Sequence, residues 1–262
     1  MFKKIMITMS VLFLISTALY GAKISQSECA TKGEKYIFAG GECIEFFKAN
    51  GDRKNSLNII VHGTWKEGTN TLARYAPFAE NIALQTDITT IAIALPGYAG
   101  SSTNNFQALS HDGVENLAAN KAYIDFLGEL VSALKNRYKA TTVTYIGHSA
   151  GAMMGATLTG LKPNLIDNIV CAGGRYDIHE VSQNNALISV VDVLDNVSKD
   201  THFILVYGTK DEVSEPKITK AFYEMALKKG LDVKLVEVPD APHLDLDMSD
   251  ESVDAIVELL DN

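Results

Sequence analysis

Short apolar runs alternate with longer amphipathic stretches from residue 57 to the end of the chain. Leu57–Val61, Ile88–Leu95, Thr142–Ile146, Leu165–Ala172, His202–Tyr207 and Val233–Val238 are short segments rich in Val, Ile and Leu. Such near-continuous runs predict strands buried on both faces. Helical spacing occupies the gaps. Leu72, Tyr75, Ala76, Phe78, Ala79 and Ile82 predict a helix around Asn70–Ala83. Leu117, Tyr123, Ile124, Leu127, Leu130, Val131 and Leu134 predict a longer one over about Val114–Tyr138. Pro216–Lys229, stopped by Gly230, and about Asp250–Leu260 complete the set. Helices between consecutive buried strands require crossover connections, so the expected fold class is α/β, with a mostly parallel central sheet and helices on both faces.

Two regions fall outside this alternation. Before it, Tyr36–Phe38, a Gly40-Gly41 turn and Cys43–Phe47 read as a hairpin. Within it, residues 175–200 are irregular and carry an apolar patch, Leu187–Leu194. That patch reads as either a small lid helix or buried surface. There is no repeat and no linker-like segment, so residues 23–262 are expected to form a single domain.

Residues 1–22 have a different character. Lys3 and Lys4 precede an apolar run, Ile5–Leu19, and the small residues Gly21 and Ala22 follow it. This is the layout of a secretory signal peptide, and the run is shorter than the roughly 20 residues of a spanning helix. The expected location is therefore periplasmic or secreted, with no stable membrane association after cleavage. In an oxidising compartment Cys29 and Cys43 are natural disulfide partners. Cys171, after an apolar strand, reads as a buried small hydrophobe. The formal net charge of −9 with no Lys/Arg run makes nucleic acid a poor partner. No His/Cys grouping has metal-ligand spacing, and no cofactor is implied. The oligomeric state is not readable.

The strand at Thr142 runs into Gly147-His148-Ser149-Ala150-Gly151 and then into a small-residue helix. The G-x-S-x-G pattern alone would occur by chance in about one chain in ten of this length. Its strand-turn-helix setting raises it to a nucleophile elbow, in which the two glycines let strand and helix pass closely and the serine is pushed out at the strand end. Ligands of open parallel sheets bind at the carboxyl ends of strands. Asp211 follows the His202–Tyr207 strand and His243 follows the last strand, giving the order Ser149, Asp211, His243.

On these residues the chain resembles the α/β-hydrolase-fold serine hydrolases, which have that triad order. The resemblance runs from about residue 55 to the C-terminus and includes the strand ends Val61-His62-Gly63 and Leu95-Pro96-Gly97-Tyr98. It implies Ser149 as nucleophile, His243 as base and Asp211 as the residue that orients the base. Asp177, after the preceding strand, stands as the alternative acid. The oxyanion donors would be the N–H groups of Ala150 and Thr64. Trp65, Tyr98 and His148 are placed on the substrate side, although Trp65 could equally be core packing and a residue at the position of His148 commonly packs below the serine. The implied activity is cleavage of a carboxylic ester, thioester or amide on a small-molecule or peptide-like substrate. A peptidase, an acyltransferase or a non-catalytic binding protein are the competing readings.

Overall fold

The computed structural model describes residues 23–261, so the expected signal peptide lies outside the described residues. The elements are α1 (Gln26–Thr31), β1 (Tyr36–Ala39), β2 (Glu42–Ala49), β3 (Arg53–Val61), α2 (Thr71–Thr86), β4 (Ile88–Ile93), α3 (Lys121–Tyr138), β5 (Thr142–His148), α4 (Ala150–Leu161), β6 (Asn168–Ala172), α5 (Val190–Val193), β7 (His202–Gly208), α6 (Pro216–Lys228), β8 (Asp232–Val238) and α7 (Asp250–Asp261). The eight strands form one sheet in the order β1-β2-β4-β3-β5-β6-β7-β8. The β1–β2 and β2–β4 pairs are antiparallel. All remaining pairs are parallel.

The central strands divide their side chains between two cores. Val143 and Tyr145 of β5, Ile169 and Cys171 of β6, and Phe203 and Leu205 of β7 face one core with α3, α4 and α6. Ile146, Val170, Ala172, Ile204 and Val206 face the other with α2 and α7. Period-two alternation with both sides apolar is why these strands read as unbroken hydrophobic runs.

Local chemistry moved several boundaries. The long helix begins at Lys121, not near Val114. Asn120 is extended (φ −78°, ψ 122°) and its side chain accepts the N–H groups of Ala122 and Tyr123, which caps the helix there. The preceding residues form a 3₁₀ turn, Leu117–Ala119, entered through Asn116 in the left-handed region. The α1 helix was not expected. A capping box holds it, with Ser25 accepting from Glu28 N–H and the Glu28 carboxylate accepting from Ser25 N–H.

Cys29 and Cys43 are joined by a disulfide that fastens α1 to the hairpin. Cys171 is free and fully buried, and burial pushes its thiol pKa well up. Within 175–200 the apolar patch is buried surface. Val190, Val193 and Leu194 are nearly inaccessible, and the four-residue α5 packs against α4. The polar 101–112 segment is fixed by one buried carboxylate, Glu42, which accepts from Ser102 Oγ and from the N–H groups of Asn104, Asn105 and Phe106. Among the described residues no helix is long and apolar enough to cross a membrane.

Candidate active site

Strand register brings the chemistry to one sheet edge. Val61 pairs with Gly147, and His148 pairs with Ala172, so β3, β5 and β6 end together. Gly208 pairs with Val238, which places the loops after β7 and β8 side by side. Ser149 sits between β5 and α4 with φ 54° and ψ −118°, a positive-φ backbone conformation that a non-glycine residue rarely holds. Its N–H donates to Ala172 O at 2.8 Å, and its carbonyl accepts from Met153 N–H at 3.0 Å, so the strained residue is pinned on both sides. The two glycines make room for the turn. A Cβ on Gly151 would lie 2.2 Å from Val61 O, and one on Gly147 would lie 2.7 Å from Ala152 N. Neither backbone neighbour can move without parting strand from helix.

Ser149 Oγ lies 2.8 Å from His243 Nε2, and His243 Nδ1 lies 2.7 Å from Asp211 Oδ2. An ionised carboxylate only accepts, so Nδ1 carries the imidazole proton and Nε2 is left to accept the serine hydroxyl. Asp211 is buried, and its second oxygen accepts the N–H groups of Val213 at 2.9 Å and Ser214 at 2.8 Å. Burial acts to raise this carboxyl pKa. The His243 hydrogen bond and charge and the two backbone donors outweigh it, leaving the group below the usual carboxylate value.

Asp177 is elsewhere. Its carboxylate accepts from His179 N–H and caps the short 3₁₀ turn Ile178–Glu180. It is not part of the Ser149–His243–Asp211 chain.

Ala150 is the first residue of α4, so its N–H has no acceptor within the helix and lies at the positive end of the helix dipole. The loop carrying Thr64 is pressed against the serine: a Cβ on Gly63 would stand 2.7 Å from Ser149 Cβ. Thr64, Ser149 and Ala150 line one cavity of about 240 Å³. Its walls come from separate segments: Leu109, Asn116–Ala118, Met153 of α4, Arg175, Ile178 and Val181 of the insertion, and Val213 and Ser214.

Trp65, Tyr98 and His148, expected on the substrate side, are not among the residues that line this cavity. Tyr98 is fully buried, and its hydroxyl donates to Trp65 O at 2.7 Å. Trp65 is half-buried under the Arg74 guanidinium, 4.8 Å from its ring. The two aromatic residues thus brace the Thr64 loop from behind. His148 lies beneath the site, where its Nε2 donates to the main-chain carbonyl of His243 at 2.8 Å. It supports the loop that carries the histidine. Beside it Asp247 is buried, and burial raises its carboxyl pKa against the opposing pull of His148.

His62 is also structural. Leu95 N–H donates to its Nε2 at 3.1 Å, so Nδ1 carries the proton and donates to Gly63 O at 2.7 Å. Burial lowers its pKa to about 4; the Gly63 bond opposes this and the nearby His148 adds to it. The unfolded chain therefore binds a proton that the folded chain refuses between about pH 6.5 and 4. Stability is expected to fall as pH falls through this window, by up to about 3 kcal/mol from this group. Urea unfolding at steps from pH 7 to pH 4 measures it, and a His62→Gln variant should show a shallower decline.

The cavity-forming residues outside the elbow loops gave little sequence signal. Met153 lies on a small-residue helix, and Leu109 and Arg175 lie in segments without periodicity. The Gly173-Gly174 pair at the end of β6 marked where the wall turns, but not which side chain would face the site.

A family model described as alpha/beta hydrolase fold matches residues 59–197, just over half of the chain. A search of curated proteins finds no match. Among solved structures, the chain is similar to the Pyrococcus furiosus esterase Pf2001, with TM-score 0.65 and 16% identity over 86% of this chain and 90% of that one. It is similar to Est1E from Butyrivibrio proteoclasticus, solved with ferulic acid bound, with TM-score 0.60 and 16% identity over 87% and 96%. It is also similar to a meta-cleavage product hydrolase from Pseudomonas fluorescens, with TM-score 0.59 and 14% identity over 87% and 97%. At these identities the likeness is one of fold.

Proposed function

We propose that this chain, which belongs to the α/β-hydrolase family, is a serine hydrolase that cleaves a carboxylic ester through an acyl-enzyme on Ser149. The observation that carries this reading is the unbroken hydrogen-bond chain from Asp211 through His243 to Ser149 Oγ, at 2.7 and 2.8 Å. A serine hydroxyl is a poor nucleophile until a base takes its proton. His243 Nε2 takes it as Oγ attacks the ester carbonyl carbon, and Asp211 stabilises the imidazolium that forms. The carbonyl oxygen becomes an oxyanion held by Ala150 N–H and Thr64 N–H. Each such donor is worth about 3–4 kcal/mol of transition-state stabilisation. His243 then gives its proton to the leaving alkoxide. The acyl group remains on Oγ until water, activated by the same imidazole, releases the acid.

The reading extends to location. The disulfide between Cys29 and Cys43 suits an oxidising compartment, in keeping with the signal-like residues 1–22, so the enzyme would work in a periplasm or outside the cell. Its substrate would be a small molecule.

Purified protein incubated with p-nitrophenyl esters of increasing acyl length, beside peptide anilides, tests the reaction class. Turnover of short esters that greatly exceeds anilide cleavage is the expected result. Anilide cleavage without ester cleavage would replace the esterase reading with a peptidase.

A further inference from the structure

The reaction class says nothing about what the acyl or alcohol group carries. Arg175 bears on that. It follows Gly173-Gly174 at the carboxyl end of β6, the strand whose Ala172 accepts the Ser149 N–H. It lines the same cavity as Ser149, Ala150 and Thr64, and it is the sole charged side chain in that lining. Arg175 is half-buried, and among the described residues its guanidinium has no carboxylate partner and no hydrogen-bonding acceptor. The other three arginines each have a partner: Arg53 donates to Leu260 O, Arg74 pairs with Asp245, and Arg137 donates to the carbonyls of Tyr36 and Glu34. A partly desolvated guanidinium left unpaired in the wall of the cavity is held ready for an external anion.

Chemistry narrows the anion. A guanidinium presents a planar fork of donors that matches a carboxylate in two parallel hydrogen bonds. A phosphate dianion would call for further cations, and this lining supplies none. The cavity of about 240 Å³ is smaller than the usual ligand site, so the charged group must lie only a few bonds from the scissile carbonyl. The remaining walls, Leu109, Leu117, Met153, Ile178, Val181 and Val213, are apolar and suit a short methylene spacer.

We infer that Arg175 forms an anion subsite and that the substrate is a short-chain ester bearing a free carboxylate, such as a half-ester of a small dicarboxylic acid. This deepens the hydrolase reading and rests on it. The test compares kcat/KM for mono-p-nitrophenyl glutarate with that for the neutral p-nitrophenyl hexanoate, in wild type and in Arg175→Met and Arg175→Lys. The wild type should favour the anionic ester, and the anionic-to-neutral ratio should fall about 10–100-fold in Arg175→Met, the worth of one charged hydrogen-bonding partner. Arg175→Lys should lie between them. Circular dichroism confirms that each variant is folded. A wild-type ratio near one that Arg175→Met leaves unchanged overturns the subsite while ester turnover keeps the hydrolase reading. If neither ester is cleaved, the hydrolase reading fails and calorimetric titration with glutarate decides the subsite separately. Binding by wild type that Arg175→Met loses supports it, and equal or absent binding overturns it.

Discussion

Replacing Ser149 with alanine is expected to lower ester turnover by about 10⁶-fold, down to what cleft binding and oxyanion donors alone provide. The size of the loss follows from the arrangement. His243 Nε2 has one hydroxyl within reach at 2.8 Å, and that hydroxyl belongs to the residue held at φ 54° between β5 and α4. With Oγ gone there is no covalent route. Water attack assisted by His243 lacks the fixed approach that the elbow imposes on the serine. The fold should tolerate the change, because removing one oxygen adds no atom near Gly63 and leaves the backbone bonds to Ala172 and Met153 in place. Steady-state kinetics with a short p-nitrophenyl ester reads the loss, and unchanged urea unfolding would assign it to chemistry. Retention of more than a few per cent of wild-type turnover would remove Ser149 as nucleophile.

Asp211→Asn should cost about 10⁴-fold in kcat, the loss expected when the orienting acid of a triad is neutralised. The local hydrogen bonds explain why so small a change matters. Val213 and Ser214 donate their N–H groups to one oxygen of this side chain, which orients the asparagine carbonyl toward them. The amide nitrogen must then face His243 Nδ1 and donate to it. The imidazole proton moves to Nε2, which can no longer accept from Ser149. Asp177→Asn should leave turnover near wild type, since Asp177 caps a 3₁₀ turn through His179 N–H. Loss of activity in the Asp177 variant with retention in the Asp211 variant would reverse the assignment.

The sheet and its crossover helices were readable because each strand between two apolar layers carries an almost continuous run of Val, Ile and Leu. The elbow was readable because close passage of strand and helix leaves glycine as the residue that fits at 147 and 151. What escaped was decided by single side chains or by distant packing. Asn120 moved a helix start through one cap, although Asn followed by a helical stripe was available as a signal. Ser25-Gln26-Ser27-Glu28 spells a capping box, but α1 is only six residues long and buries little besides Cys29, so no apolar periodicity marks it as a helix.

Tyr98 follows β4, and that position alone puts it on the substrate side. Position at a strand end says nothing of direction, and the turn through Gly97 and Ala99, both at positive φ, aims the ring into the core. His148 was ambiguous for the same reason: elbow spacing fixes where its Cα lies, and only the contact with His243 O reveals that it supports the loop from below. The cavity itself joins residues from Thr64 to Ser214 and follows from the tertiary arrangement of segments that have no common periodicity.

The central claim is that Ser149 is an activated nucleophile, and intact-mass analysis after exposure to a fluorophosphonate tests it most directly. Folded wild-type protein is expected to gain one adduct, mapped by peptide sequencing to Ser149, while Ser149→Ala gains none and Asp211→Asn reacts far more slowly. Folded wild-type protein that stays unmodified, or an adduct on any other residue, would contradict the account.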